Sequence, residues 1–174
     1  MNTENVSIAS IWSGHLYPEN ASFPAHVLAE NLCAIAANSH YAPPESDTKQ
    51  FLEVAQQKST MLTKYGLILA IRDNLIAGFL EARVVDDIAE IDFVAVSSEQ
   101  QRKGIGRILV SFAIEAAEHF GAEKILLEVG RENKSANSLY TKLGFKQIAT
   151  RRNYYKGTED ALILEYLIKQ TSQL

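Results

Sequence analysis

The segment Gln101-Arg102-Lys103-Gly104-Ile105-Gly106-Arg107 stands between an apolar strand, Ile91 to Val96, and an amphipathic helix from about Ile105 to Phe120. A glycine-rich turn that leads a strand directly into a helix is an anion cradle. Glycine has no Cβ, so the backbone can pass close to a ligand, and the first N–H groups of a helix have no partner within it. The helix dipole adds a preference for negative charge, and Arg102, Lys103 and Arg107 supply positive side chains. Spacing narrows the ligand. A Walker loop needs Lys-Ser/Thr directly after its last glycine, whereas Gly106 is followed by Arg107-Ile108. A Rossmann fingerprint needs a third glycine where this chain has Leu109. A bare helix start with nothing bound stays open on this pattern alone.

A chain of 174 residues with 47% apolar side chains is long enough for one substantial core, and the expectation is a single domain over residues 1–174. The net charge of −4 argues against a chain that coats nucleic acid. Cys33 is the only cysteine, which rules out an internal disulfide. Its setting among Val27, Leu28, Leu32, Ile35 and Ala36 predicts a buried thiol rather than a nucleophile. His15, His26, His40 and His119 lack the paired spacing of a metal site, so no metal is assigned. Neither a run of about eighteen apolar residues nor a signal-like start is present, so no membrane partner is expected and a cytoplasmic location is.

Periodicity predicts a strand near Val6 to Trp12, then helices over about Pro24 to Ser39 and Glu45 to Ser59, linked by Tyr41-Ala42-Pro43-Pro44. From Tyr65 the period becomes strand-like: Leu67 to Ile71, a turn at Arg72-Asp73-Asn74, Ile76 to Val85, a turn at Asp86-Asp87, then Ile91 to Val96. Short links make these an antiparallel meander. After the helix that Gly121 ends comes a buried strand, Lys124 to Gly130. Asn133 then caps a short helix whose apolar face is Ala136, Leu139, Tyr140 and Leu143, followed by strands Lys146 to Tyr155 and Ala161 to Ile168. A strand, a crossover helix and a strand in one sheet predict that Ile91–Val96 and Lys124–Gly130 lie parallel and adjacent.

These residues resemble the GNAT superfamily of N-acetyltransferases, whose cofactor loop reads Gln/Arg-x-x-Gly-x-Gly/Ala; here it is Gln101-x-x-Gly104-x-Gly106. The likeness runs on through Leu126-Leu127-Glu128-Val129, Asn133, Ser138-Leu139-Tyr140, Leu143-Gly144-Phe145, Arg151-Arg152-Asn153-Tyr154-Tyr155 and Glu159-Asp160-Ala161. Within the superfamily it resembles the RimI branch, the ribosomal-protein alanine N-terminal acetyltransferases. It covers about Ile76 to Ile168. The branch's Pro-Trp-Ser segment is absent; the nearest stretch is Ser22-Phe23-Pro24-Ala25-His26, so the acceptor is the less specified partner.

The resemblance implies an α/β (α+β) GNAT fold: a mixed, mostly antiparallel sheet with helices on both faces and one parallel strand pair flanking an acetyl-CoA cleft. It implies direct attack in a ternary complex, with acetyl-CoA as cosubstrate and the N-terminus of a protein, of the ribosomal-protein type, as acceptor. Glu128 would accept the amine's proton and Tyr140 would protonate the departing thiolate. Val94, Ala95 and Val96 would pair with the pantetheine arm and supply oxyanion N–H groups from a bulged strand. Arg102, Lys103, Gly104, Ile105, Gly106 and Arg107 would hold the pyrophosphate, and Asn133 would touch the pantetheine arm or act only as a helix cap. Arg151, Arg152, Asn153, Tyr154 and Tyr155 would line the acceptor side. Alternatives are a GNAT acting on a small amine or a lysine side chain, and a noncatalytic CoA-binding module; oligomeric state is not specified by the sequence.

Overall fold

The computed structural model describes residues 6–12, 15–17, 25–38 and 63–168. In chain order the elements are β1 (Val6–Trp12), β2 (His15–Tyr17), α1 (Ala25–Ala37), β3 (Thr63–Arg72), β4 (Leu75–Val85), β5 (Ile88–Val96), a 3₁₀ turn (Ser98–Gln100), α2 (Ile105–His119), β6 (Lys124–Gly130), α3 (Lys134–Leu143), β7 (Lys146–Tyr155) and β8 (Glu159–Leu167). The expected helix Glu45 to Ser59, its Pro-containing link and Ser22-Phe23-Pro24 lie outside the described residues. The short β2, which pairs through Ser10↔Tyr17 to Trp12↔His15, is not foreseen by the sequence pattern, because three residues carry no readable period.

All eight strands form one sheet in the order β2-β1-β3-β4-β5-β6-β8-β7. Its centre is dictated by sequence. Leu67, Ile68, Leu69 and Ala70 on β3 are fully buried, an unbroken apolar run that needs cover on both faces. Alternation divides them: Leu67 and Leu69 pack with Leu28, Leu32 and Phe79 under α1, whereas Ile68 and Ala70 pack with Leu80, Leu109, Val110 and Ala113 under α2. Each fully buried Leu or Phe stabilises the fold by about 2 kcal/mol. Asp73 and Asn74, both at positive φ (52° and 62°), make the tight β3–β4 hairpin turn that matches strand twist. Cys33, expected to be buried, is half-buried: α1 turns Leu32, Ile35 and Ala36 inward and leaves Cys33 at the edge of that stripe.

The parallel pairing of β5 with β6 is short. It is hydrogen-bonded only from Ile88↔Lys124 to Ile91↔Leu127. Beyond that point β5 stays with β4 as far as Val96↔Gly78, and β6 stays with β8 as far as Gly130↔Ala161. The two strands therefore part, and the sheet opens in a V whose lips begin at Asp92 and Glu128. The cause is a bulge: Ala82 pairs with Ile91 and Glu81 with Phe93, leaving Asp92 as the extra residue. The bulge thus falls before the expected position at Val94-Ala95-Val96, because Gly78, Phe79 and Leu80 pair regularly with those residues.

Candidate active site

The cradle forms as the glycines allow. Gly104 takes a left-handed conformation (φ 86°) as N-cap of α2, and no side chain caps the helix there. The first intrahelical bond is donated by Ile108 N–H to Gly104 O at 3.1 Å, so the N–H groups of Ile105, Gly106 and Arg107 precede the ladder. A Cβ on Gly106 would lie 3.3 Å from Leu139 Cδ2 and 3.9 Å from Val96 Cγ2, so the glycine keeps the floor of the cradle low. Arg102, itself at φ 62°, donates from Nη1 to Ser135 Oγ at 3.2 Å, tying the loop to the start of α3. Gln101 Nε2 donates to Val96 O at 3.3 Å and fixes the loop against the end of β5.

This loop forms one wall of a cleft of about 700 Å³. Val94, Ala95 and Val96 on the parted edge of β5 form another, and Asn133, Ala136, Leu139 and Tyr140 a third. Asn133 is indeed a cap: its Oδ1 accepts from Ala136 N–H at 3.2 Å, while the residue also borders the cleft. Asn137, which the sequence did not single out, donates to Gly130 O at 3.0 Å and Arg131 O at 3.2 Å, clamping α3 to the end of β6. Tyr140 is the buried residue of α3, with its ring edge-on to Phe145, and burial pushes its phenol above the ordinary tyrosine range. Lys103 does not border the cleft; it lies with Gly104, Arg107, Phe112 and Glu115 around a separate hollow outside α2.

Glu128 faces a different space. Leu127 and Val129 point into the core beneath α2, so alternation along β6 sends Glu128 to the other side of the sheet. There it borders a cavity of about 550 Å³ with Arg83, Glu90 and Asp92 from the other lip and Arg151, Tyr154 and Ile148 from β7. Glu128 Oε1 is 2.8 Å from Arg151 Nη1, and the Tyr154 hydroxyl donates to the same carboxylate. That bond raises the Tyr154 phenol, and the Arg151 guanidinium lies 5.5 Å from the Tyr154 ring centroid. Tyr155, half-buried between these groups and Tyr140, is pushed up to about 12, first by burial and then by the Glu128 charge. On the opposite lip Arg83 bonds both Glu90 and Asp92, the latter at 2.6 Å. Burial outweighs Arg83 at Asp92 and pushes its carboxyl up to about 6.

Of the expected acceptor-side segment, Arg151 and Tyr154 reach this cavity, whereas Arg152, Asn153 and Tyr155 do not border it. The β7–β8 register breaks between Arg151 and Tyr155, and Asn153 sits at φ 53° with its N–H donating to Asp160 Oδ1 at 3.1 Å. That kink re-aims the side chains between them. Arg83, Glu90 and Asp92 went unnoticed in the sequence. The readable signal was a carboxylate inside the apolar run Ile91-Asp92-Phe93.

Comparison with known proteins agrees with this arrangement. The acetyltransferase (GNAT) family matches over residues 30–145, more than half of the chain. The [ribosomal protein bS18]-alanine N-acetyltransferase of Salmonella typhimurium is 40% identical over 95 residues, spanning 53% of this chain and 64% of that protein. The match thus takes in less than two thirds of that relative. An N-alpha-acetyltransferase of Saccharolobus solfataricus is 32% identical over 118 residues, 59% of this chain and 71% of that protein. The crystal structure of the ribosomal-protein-S18-alanine N-acetyltransferase from Escherichia coli superposes with a TM-score of 0.73 at 26% identity, covering 97% of each chain. With the parted parallel pair, the glycine cradle and the family match in hand, the chain is a member of the acetyltransferase (GNAT) family.

Proposed function

We propose that this chain, acting as a single domain in the cytoplasm, transfers the acetyl group of acetyl-CoA to the N-terminal α-amine of a protein, of the ribosomal-protein alanine type. The observation that carries this reading is the V between β5 and β6. It has an anion-binding cleft with Tyr140 on one side and a carboxylate cavity with Glu128 on the other, so two substrates can meet where the strands part. The similarity to alanine N-acetyltransferases supports the choice of acceptor.

Backbone N–H groups of Ile105, Gly106 and Arg107 hold the pyrophosphate, with Arg102 and Arg107 adding charge. The free edge of β5 at Val94-Ala95-Val96 pairs with the amide-bearing pantetheine arm as an added strand would, bringing the thioester to the V. An α-amine, with an ordinary pKa of about 7.7 to 8.0, is mostly protonated at neutral pH and loses two protons on its way to an amide; Glu128 accepts from that nitrogen as the N–C bond forms. The N–C bond forms, the C–S bond breaks, and Tyr140 gives its proton to the sulfur. A phenol raised by burial carries its proton at neutral pH, the form a donor must have. Arg151 and Tyr154 orient the Glu128 carboxylate, and Tyr154 meets the acceptor's first residues.

The test is mass spectrometry of a peptide that begins with alanine and carries an internal lysine, after reaction with acetyl-CoA. Acetylation at the N-terminus is expected. Acetyl on the lysine alone would overturn the α-amine assignment and leave acetyl transfer standing.

A further inference from the structure

We propose that Asp92, the bulged residue on the β5 lip of the V, is a second proton acceptor of the reaction, docking the acceptor's ammonium opposite Glu128. The proposal deepens the acetyl-transfer reading and rests on it.

Position comes first. The last paired residues of the opening are Ile91 and Leu127, so Asp92 and Glu128 are the next residue on each lip, and both border the same cavity. Arg83, which bonds Asp92 and Glu90, lies between Ala82 and Val84, both buried under α2; Arg83 and its partners therefore face the other way, as Glu128 does. The bulge that parts the strands also sets Asp92 two residues before Val94, where β5 begins to line the cleft.

Charge then separates the two lips. At Glu128 one guanidinium, Arg151, and one hydroxyl, Tyr154, serve one carboxylate, so the group is neutral as a whole. At the other lip one guanidinium, Arg83, serves two carboxylates, leaving one negative charge. That excess is what a cationic amine is drawn to. The Asp92 side chain is only 24% exposed, and burial raises its carboxyl to about 6, nearer to the operating range of a general base than an ordinary aspartate. The titratable and charged groups that face it are Arg83 from β4, Glu90 from its own strand, Glu128 from β6, and Arg151 and Tyr154 from β7.

Proton accounting gives two carboxylates a use. An ammonium loses two protons on its way to an amide. The first leaves R–NH₃⁺ for Asp92 and frees the lone pair. The second leaves nitrogen for Glu128 once the N–C bond has formed. The C–S bond then breaks and the sulfur ends with one proton, given by Tyr140 and balanced by the one on Glu128. The other is released from Asp92 to water.

The experiment measures kcat/KM for an alanine-initiated peptide between about pH 5 and 9, with acetyl-CoA affinity and melting temperature, for the wild type, Asp92→Asn, Asp92→Glu and Glu128→Gln. Asp92→Asn should lose roughly 10²-fold or more in kcat/KM, and the acidic limb near pH 6 should vanish. Acetyl-CoA affinity should be unchanged, Asp92→Glu should restore part of the rate, and Glu128→Gln should keep the limb. An Asp92→Asn enzyme within about twofold of wild type, limb intact, overturns the proposal, as does a loss that follows melting temperature and is not rescued by Asp92→Glu. A wild type that binds acetyl-CoA but acetylates no amine removes the acetyl-transfer reading itself, an outcome visible before any variant is compared.

Discussion

Arg151 Nη1 and Glu128 Oε1 stand 2.8 Å apart across the β6–β8–β7 side of the cavity, so the carboxylate assigned to take the amine's proton already holds a cation. Arg151 occupies the place an incoming ammonium would want. Its side chain is 55% exposed, and an ion pair so open to water is worth about 0–1 kcal/mol, weak enough for a substrate to displace. Arg151→Gln should accordingly leave thermal stability almost unchanged and lower KM for the acceptor peptide severalfold, with acetyl-CoA affinity unaffected. Steady-state kinetics with the peptide varied checks this; a raised KM would mean that Arg151 binds the peptide rather than competing with it.

The two proton carriers predict different losses. Glu128→Gln should cost roughly 10²- to 10⁴-fold in turnover at neutral pH, with the deficit shrinking as pH rises and hydroxide takes the proton that nitrogen sheds on N–C bond formation. Tyr140→Phe removes one hydroxyl from a buried ring that packs on Phe145, so folding should hold while turnover falls. Because Tyr140 serves the leaving group, its loss should not shrink with pH as the Glu128 loss does. A pH–rate profile of each variant separates the two, and an unaltered Tyr140→Phe rate would assign protonation of the thiolate to water.

For the cradle, the decisive variant is Gly106→Val. The new Cβ would meet the end of the flexible Leu139 side chain at 3.3 Å, which can give way, so the domain should still fold. The rest of the valine has only the cleft to enter. Acetyl-CoA affinity should drop about 10-fold or more, about 1.4 kcal/mol, by calorimetry. Unchanged affinity would mean that the pyrophosphate lies elsewhere.

Local features are the ones legible in the sequence. β6 runs from Lys124 to Gly130 as its pattern predicts, since a run of Ile, Leu and Val between charged and glycine ends is unambiguous, and the β5–β6 parallel pairing comes from the crossover rule. The cradle is legible because its chemistry is written in consecutive residues. The V is not, for it depends on where a hydrogen-bond ladder between strands more than thirty residues apart stops. Nor is the division of Glu128 and Tyr140 between two cavities, which needs the pleat of one strand and the packed face of a helix at once. Arg83 and Glu90 lie on neighbouring strands, and only the register Arg83↔Glu90 brings them together.

Asp92 carries a last prediction, on stability rather than rate. Burial lifts its carboxyl from an ordinary 3.8 to about 6, the Arg83 charge opposing and the Glu90 charge assisting. Between those values the folded chain holds a proton that the unfolded chain has released, so this group's contribution to stability is fully present below pH 3.8 and is lost as pH rises through about 6. A two-unit shift corresponds to at most about 3 kcal/mol, which solvent screening at a residue this open reduces to about 1 kcal/mol. Asparagine cannot ionise and still accepts a hydrogen bond from Arg83. Measured by urea unfolding, Asp92→Asn should therefore gain stability relative to wild type as pH is raised from about 4 to 7, by about 1 kcal/mol. Asp92→Asn losing stability relative to wild type as pH is raised would show that the Arg83 ion pair, not burial, governs this lip of the opening.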